Sequence, residues 1–295
     1  MIDVEFYGTG IVASLPERWS EMPARQIRRV FRLNDACSRK GRTPQAFRIL
    51  MLYQLLGIRP SWKTALLLKG DDGQLLAENV AVLCDRCLQN FFRVDERDTP
   101  HLVFDDIRNS LPVIRRGFFR RPLAGPADLL QDLSFGEFRH ASDALTAFFQ
   151  STNLTDLDEC IAILYRVRSR KANRAGRKVA DIHPAKDVAR VTRIPSWEKN
   201  LVLMWFSACL QFLQTQTLRI DGEDVPLREL FSGESSGPSQ YASTWSDLLL
   251  QIAKDGTLGN ADRVDEGSLF SILKIMWCNY KEAKRYEKIA KTHKA

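Results

Sequence analysis

The residues best suited by type to redox or metal chemistry are two cysteines, in the sequence Cys84-Asp-Arg-Cys87. A CxxC redox motif needs its first thiol at the start of a helix that follows a strand, and a zinc site needs a second pair of ligands. Here both thiols fall on the apolar stripe of one continuous helical pattern, together with Val80, Leu83 and Phe91. We therefore predict that Cys84 and Cys87 pack in a core rather than react or bind zinc.

A second candidate is Ser235, whose setting Gly233-Glu-Ser-Ser-Gly237 matches, by its letters, the elbow around a hydrolase nucleophile. That elbow requires a strand immediately before it and a helix immediately after it. Here Pro238 follows within a Gly/Ser-rich stretch, so a loop is the favoured interpretation. A serine hydrolase that uses Ser235 is the enzymatic alternative.

The four histidines, at positions 101, 140, 183 and 293, are far apart in the sequence, and none has a second metal ligand at a recognised spacing. The sequence also lacks the glycine-rich patterns that bind phosphates or dinucleotides and the acidic loop that binds calcium. We therefore expect a non-enzymatic protein without a cofactor or a bound metal.

Residues 166–178 form the most basic segment, with seven basic residues in thirteen and no acid. One interpretation is a nucleic-acid contact in which these side chains bind phosphates and the affinity falls steeply with salt. The other is a solvated linker; no aromatic residues are interleaved, so stacking on single strands is not indicated. The candidate contacts to an anionic partner are Arg168, Arg170, Lys171, Arg174, Arg177 and Lys178. The basic C-terminal tail, residues 281–294, has the same two interpretations.

The composition is that of a folded globular protein, with 44% hydrophobic and 27% charged residues in a chain of 295. The net charge of +7 favours acidic partners without choosing among nucleic acid, protein and membrane surface. The start Met1-Ile-Asp-Val-Glu-Phe6 carries acids where a signal peptide needs basic residues, and no apolar run approaches about 18 residues. Six scattered cysteines fit reduced thiols better than disulfides, so we expect a cytoplasmic protein with no membrane partner.

The elements that would position any site are mainly helices. Ser134-Phe-Gly-Glu137 and Thr155-Asp-Leu-Asp158 each place a carboxylate three residues after a hydroxyl, the pattern of a capped helix start. Apolar residues at helical spacing follow both, with a polar turn at residues 150–153 between them. Residues 126–167 are therefore predicted to be a helix–turn–helix packing module, which must bury its apolar faces on the rest of the chain or on a partner.

The whole pattern predicts a mainly α, multi-helix globular architecture with one or two small β-hairpins. We divide it into a helical N-terminal region (1–125) with a short N-terminal strand or extended arm, the module (126–167), a basic loop (168–195) and a C-terminal helical unit (196–295). The individual predictions are helix caps at Ser20 and Thr43, short strands at 66–68 and 74–76, a helix opening at Trp197, a hairpin at 217–227 around Asp221-Gly222, a Gly/Ser loop at 232–239, a short helix at 245–252 and a last helix from Leu269.

Three segments resemble proteins encoded in phage and prophage tail modules. The first, Leu15-Pro-Glu-Arg-Trp-Ser-Glu-Met22, is similar to the opening of small helical proteins of that group. The second, Leu133-Ser-Phe-Gly-Glu-Phe138 followed by Ile161-Ala-Ile-Leu-Tyr-Arg166, is similar to their central signature. The third joins Trp245-Ser-Asp-Leu-Leu and Gly256-Thr-Leu-Gly-Asn260 and resembles a C-terminal block of related prophage proteins.

The resemblance implies a protein of phage tail assembly, either a chaperone for the long helical tape-measure protein or a tail component. It also implies other tail proteins as partners, and a location in the cytoplasm of the bacterial host or within a phage particle. Paired helices with aromatic residues suit the recognition of another helical protein, although the same aromatics can equally form a core. The aromatic residues predicted to bind the partner are Trp19, Phe135, Phe138, Phe148, Phe149 and Trp245.

Overall fold

A computed structural model describes residues 1–6, 11–59, 73–96, 99–116, 120–167, 184–231 and 261–292. In these ranges the chain is mainly helical with small antiparallel sheets, which confirms the predicted fold class. The chain forms two compact units. Unit 1 combines Met1–Leu111 with Pro195–Trp205, and unit 2 combines Pro112–Ile194 with Phe206–Ala295. Each unit is therefore built from two separate segments of the chain.

Unit 1 contains two strand pairs and a set of amphipathic helices. Strand β1 pairs antiparallel with β2, and β3 pairs antiparallel with β4. The elements in chain order are β1 (Ile2–Phe6), β2 (Ile11–Leu15), α1 (Ala24–Arg39), α2 (Pro44–Leu55), α3 (Gly73–Leu88), β3 (Phe92–Val94) and β4 (Pro100–Leu102).

Local chemistry explains where the helices of unit 1 begin. The Thr43 hydroxyl accepts a hydrogen bond from the Ala46 amide at 3.2 Å, and Pro44 occupies the first helical position, as predicted. The predicted cap at Ser20 is wrong, because a short 3₁₀ turn (Trp19–Glu21) precedes Pro23 and α1 starts after that proline. Residues 74–76 were predicted as a strand and instead lie in α3, since this apolar run continues the helical pattern of the residues after it.

Trp19 occupies the centre of the unit 1 core. Its ring lies 5.0 Å from that of Phe91 and 4.9 Å from that of Phe104, centroid to centroid. Its Nε1–H donates to the carbonyl of Val103 at 2.8 Å, so the one polar atom of the buried indole is satisfied. The Arg108 guanidinium also donates, through Nη2, to the Trp19 carbonyl at 2.9 Å. These bonds tie the N-terminal turn to the segment after β4.

Residues Pro195–Trp205 complete unit 1 from a distant part of the chain. The Ser196 hydroxyl donates to the buried Asp35 carboxylate at 2.6 Å, and the Arg32 guanidinium lies 4.4 Å from the centroid of the Trp197 ring. At the other end of the segment, the Trp205 Nε1–H donates to the Ile107 carbonyl at 3.0 Å. The packing of unit 1 is therefore completed by side chains of Pro195–Trp205, which lie about ninety residues after its main segment in the sequence.

Unit 2 contains a three-stranded sheet, a hairpin and the remaining helices. Its sheet has the order β5–β6–β7, with both neighbouring pairs antiparallel. The elements are β5 (Val113–Ile114), β6 (Leu123–Ala124), α4 (Phe135–Ser151), α5 (Leu154–Leu164), β7 (Arg166–Val167), α6 (Pro184–Val191), β8 (Thr217–Ile220), β9 (Glu223–Pro226), α8 (Leu227–Phe231), α9 (Ala261–Glu266) and α10 (Leu269–Thr292), with α7 (Ser196–Thr215) contributing residues to both units.

The predicted helix–turn–helix is present as α4 and α5. Ser134 and Glu137 form a reciprocal capping box at the start of α4, as the pattern predicts. The second start differs, because the Asn153 side chain accepts from the Thr155 amide at 3.0 Å and α5 therefore begins at Leu154. The predicted cap at Thr155 is wrong by two residues. Asparagine is an equally good cap, and here it lies directly after the turn.

Unit 2 tests the predicted hairpin at 217–227 and part of the predicted loop at 168–195. The hairpin is confirmed, with Asp221 and Gly222 both at positive φ (49° and 83°), the geometry of the tight turn that joins β8 and β9. The predicted loop 168–195 is wrong for Pro184–Val191, which is helix α6. The rest of that loop up to residue 183, the strand 66–68, the Gly/Ser loop 232–239 and the helix 245–252 lie outside the described residues. Among the described helices, none combines the length and apolar character needed to cross a membrane.

A buried ion pair joins α4 to the end of α5. The Arg166 Nη2 lies 2.6 Å from Glu137 Oε1, and both side chains are almost completely inaccessible to solvent. The Arg166 Nε–H also donates to the Ile163 carbonyl at 3.0 Å, while Glu137 Oε2 accepts from the Ser134 amide at 3.1 Å. One carboxylate thus caps α4 and holds the first residue of β7.

The start of α10 is attached to the same point. The Phe135 amide donates to the Gly267 carbonyl at 2.8 Å, and the Leu269 amide donates to the Leu133 carbonyl at 3.0 Å. The first amide of each helix, which has no partner within its own helix, therefore donates to a carbonyl just before the other helix. The first turn of α4 is the place where α4, β7 and α10 meet.

We expect Glu137→Gln to destabilise unit 2 by on the order of 3 kcal/mol, because it keeps an oxygen for the cap but removes the buried charge that Arg166 contacts. In a double-mutant cycle with Arg166→Met, urea denaturation should give a coupling energy of at least about 1 kcal/mol. The exposed pair Lys284–Glu229, 3.4 Å apart, serves as the control and should couple by less than about 0.5 kcal/mol. Equal coupling energies for the two pairs would contradict this account.

Candidate functional site

The aromatic residues predicted to bind a partner fall into different environments. Trp19, Phe135 and Phe138 are no more than 1% exposed. Phe138 packs on the ring of Phe206 at 6.4 Å, and Trp19 lies in the aromatic cluster of unit 1. The prediction for these three is corrected: their side chains belong to the cores of the two units and present no surface to a partner. Trp245 lies outside the described residues.

Phe148 and Phe149 are placed differently, at the last turns of α4. Phe149 is 61% exposed and Phe148 is partly exposed, with 5.7 Å between their ring centroids. Leu154, the first residue of α5 across the turn, is 66% exposed. The sequence prediction did not include Leu154. Leu154 stands three residues before Leu157 and seven before Ile161, so helical spacing alone assigns it to the buried face of α5 and gives no signal of its exposure.

Phe148, Phe149 and Leu154 are here called the tip surface, because the turn between α4 and α5 carries them. Thr152 ends α4 in the left-handed conformation, with φ of 55°. The Ser151 hydroxyl donates to Asp156 at 2.6 Å and accepts from the Asn153 amide at 3.0 Å. These side-chain hydrogen bonds fix the conformation of the turn. The apolar residues on either side of it are therefore exposed to solvent in defined positions.

The electrostatic surroundings of the tip surface are acidic. Residues 141–165 contain four acids and no lysine or arginine, in a chain whose net charge is +7. Asp158 is buried, whereas Asp143, Asp156 and Glu159 retain solvent exposure. Asp143 is paired with Arg139 at 3.8 Å, and Asp156 lies directly beside the turn. An apolar surface carried by an acidic stretch favours a partner that carries apolar and basic side chains together.

Other apolar side chains are exposed singly or in pairs on helices. Leu75 and Val82 are exposed on α3, and Tyr286 and Ile289 on α10. Scattered exposed apolar residues are ordinary on protein surfaces. The tip surface differs because residues from two helices meet there around a hydrogen-bonded turn.

The motifs considered for chemistry are mostly buried or lie outside the described residues. Cys84 and Cys87 are buried on α3, as predicted, and burial raises the pKa of the Cys84 thiol to about 11. A thiol with that pKa is neutral near pH 7 and is therefore a poor nucleophile and a poor metal ligand. Ser235 and the six predicted anion contacts, Arg168, Arg170, Lys171, Arg174, Arg177 and Lys178, lie outside the described residues.

The described histidines do not gather into one site. His101 is exposed and lies 2.8 Å from Asp95 through Nε2. His140 is half-buried on α4, where burial and the neighbouring Arg139 lower its pKa. His183 and His293 are not among the described residues. Within the described ranges, no group of three or more His, Cys, Asp or Glu side chains is arranged to hold a metal ion.

Comparisons of the chain with protein-family models, with curated proteins and with solved structures found no match. The tip surface is the site that the described residues support best as a place for a protein partner.

Glu198, in unit 1, is a carboxyl group whose surroundings disfavour its charged form. Glu198, on α7, is 9% exposed, and its Oε2 has no hydrogen-bond partner among the described residues. Burial raises its pKa, although the charges of Arg32 and Arg28 act in the opposite direction. The folded protein therefore binds a proton at Glu198 more tightly than the unfolded chain does.

The stability of unit 1 should consequently fall as the pH rises from about 4.5 through the raised folded-state pKa of Glu198. The protonated carboxyl contributes its full stabilisation at lower pH, and ionisation removes it. Glu198→Gln, which does not titrate, should abolish this fall in urea denaturation followed by tryptophan fluorescence. The exposed Glu96→Gln is the control and should keep the wild-type pH profile; identical profiles for both variants would count against this assignment.

Substitution of a core aromatic should destabilise the protein far more than substitution of a surface aromatic. Trp19→Phe removes the hydrogen bond from the buried indole to the Val103 carbonyl and should lower the free energy of unfolding by about 1–3 kcal/mol. Phe149→Ala removes a mostly exposed ring and should change it by less than about 0.5 kcal/mol. Urea denaturation of both variants checks this. A large destabilisation by Phe149→Ala would show that the tip surface is part of the core.

Proposed function

We propose that this protein acts by binding another protein through the tip surface, and that its setting is phage tail assembly. The observation that carries the binding role is the pair of exposed side chains, Phe149 and Leu154, held on either side of a hydrogen-bonded turn. Fully covering such side chains stabilises a complex by about 1.5–3 kcal/mol each. Their conformational cost is small because the turn is already ordered.

The chemistry of the partner follows from the charges near the tip surface. Residues 141–165, which carry the tip surface, contain four acids and no lysine or arginine, so the complementary partner is a basic, amphipathic helical segment. Its apolar face would cover Phe149 and Leu154, and its lysines or arginines would lie over the acids. Such an interaction weakens with salt while retaining its apolar part.

The phage tail setting is supported by the resemblance of three sequence segments to tail-module proteins. In the described structure, the first two of these segments supply core: residues 15–22 contain the buried Trp19, and residues 133–138 with 161–166 contain the pair of Glu137 and Arg166. Within the described residues, the resembling segments therefore carry the fold rather than the partner contacts. The tape-measure protein fits the partner chemistry in one respect, because it is long and helical.

The test is a binding measurement between the full chain and overlapping helical segments of the tape-measure protein from the same tail module. Isothermal titration calorimetry should detect at least one segment, and this segment should be basic and amphipathic. Phe149→Ser combined with Leu154→Ser should weaken binding about 30-fold or more, because both apolar contacts are lost.

The matched control replaces two exposed apolar residues of unit 1, with Leu75→Ser combined with Val82→Ser, and should leave the affinity within about threefold. Equal losses in the two double variants would contradict the tip surface as the binding site. Binding of an unrelated basic amphipathic peptide, with no binding of any tape-measure segment, would retain the protein-binding role and reject the phage tail setting.

A further inference from the structure

Unit 2 brings together arginines that are separated in the sequence. Residues 112–127 hold four arginines and no acid: Arg115, Arg116, Arg120 and Arg121. All but Arg116 are exposed, and Arg116 is partly exposed. A local run of like charge is usually only a solvated surface, so what matters is which other charges the fold places beside it.

The sheet register puts all four at one end of the sheet. Strand β5 pairs with β6 through Val113↔Ala124 and Ile114↔Leu123, so the arginines after β5 and those before β6 extend beyond the same end. Arg116 closes the connection by donating to the Arg121 carbonyl from Nε at 3.2 Å and from Nη2 at 2.8 Å. The guanidinium groups are thus carried by a bonded hairpin rather than by independent backbone segments.

Strand β7 is oriented toward the same end. It pairs with β6 through Leu123↔Val167 and Ala124↔Arg166, so the chain passes from Arg166 to Val167 in the direction of the hairpin arginines. The basic segment 168–178 that follows in the sequence lies outside the described residues and is not counted in the arginine cluster.

A fifth arginine approaches from a helix. Arg190 lies in the last turn of α6. Partial burial lowers the pKa of Arg116, and the neighbouring charges of Arg190 and Arg120 lower it further. Arg116 stays protonated near pH 7, since arginine titrates far above that range. Two arginines that the sequence places seventy residues apart are therefore close enough to repel each other.

We propose that Arg115, Arg116, Arg120, Arg121 and Arg190 form a binding site for the phosphate backbone of nucleic acid. Crowding of like charges costs free energy in the free protein, and an anion that enters the cluster removes this cost. The cluster consists of arginines without a lysine, and the planar guanidinium fork matches a phosphate with two parallel hydrogen bonds. A polyanion with regularly spaced phosphates can occupy several such forks at once.

This site shares no residue with the tip surface, and it takes a ligand of the opposite charge. Its failure and the failure of the proposed protein-binding function are therefore separate results. Because phosphate contacts carry no base information, the expected binding is independent of nucleotide sequence and strongly dependent on salt.

The experiment is fluorescence anisotropy of the full chain with a labelled 20-base-pair duplex of arbitrary sequence, between 50 and 200 mM NaCl. Arg115→Gln, Arg120→Gln and Arg121→Gln are combined, leaving Arg116 to bind the Arg121 carbonyl. The triple variant should bind about tenfold or more weakly at low salt. Its slope of log K against log salt should be smaller by about two to three, since each lost phosphate contact removes roughly 0.9.

The matched control combines Arg18→Gln, Arg25→Gln and Arg29→Gln, three exposed arginines of unit 1, and removes the same net charge. It should change the affinity less than threefold and keep the wild-type slope. Circular dichroism establishes that both triple variants are folded. Equal losses in the two triple variants would overturn the proposal, as would binding to phosphatidylserine vesicles or polyglutamate that is tighter than binding to the duplex.

Discussion

The buried pair of Glu137 and Arg166 is the interaction on which unit 2 depends. Taking two charges out of water costs several kcal/mol for each ion, and their attraction offsets this only when the remaining polar atoms are also satisfied. Here Glu137 also caps α4, and Arg166 also binds the Ile163 carbonyl. Each charge thus has more than one role, and α4, the end of α5 and β7 cannot move independently of one another.

This constraint also separates the two proposed surfaces within unit 2. Phe149 lies twelve residues along α4 from Glu137, roughly 18 Å at the rise of an α-helix. The arginine cluster extends from the sheet that Arg166 enters at the other end of the helix pair. An acidic, apolar tip and a cationic sheet end are thereby fixed at opposite ends of one rigid element. Two ligands of opposite charge can occupy them without competing for the same residues.

Features that depend on local chemistry were predictable from the sequence. The capping box of Ser134 and Glu137, the Thr43-Pro44 start and the Asp221-Gly222 turn each require only a few neighbouring residues to be in the right order. The competing cap at Asn153 shows the limit of such reasoning, because two adequate caps two residues apart cannot be ranked by pattern alone.

Features that depend on long-range pairing were not predictable. Aromatic residue type does not separate Phe138, in a core, from Phe149, at the surface, since both follow the same helical spacing in one helix. The arginine cluster required the pairing of β6 with β7 and the position of α6, which no local motif specifies. Residues 166–178 stand out in the sequence for their charge, yet the first arginine of that segment is buried against Glu137.

The discontinuity of unit 1 has a consequence during synthesis on the ribosome. Its first segment ends at Leu111, but Ser196, Trp197 and Trp205, which bond or pack on that segment, follow the 83 residues of unit 2 from Pro112 to Ile194. At about 5–20 residues per second, roughly 4–17 s pass before those side chains are made. During that interval the Asp35 carboxylate and the Ile107 carbonyl lack their later partners, so the N-terminal segment leaves the ribosome first but can complete its fold only after Trp205 has been made.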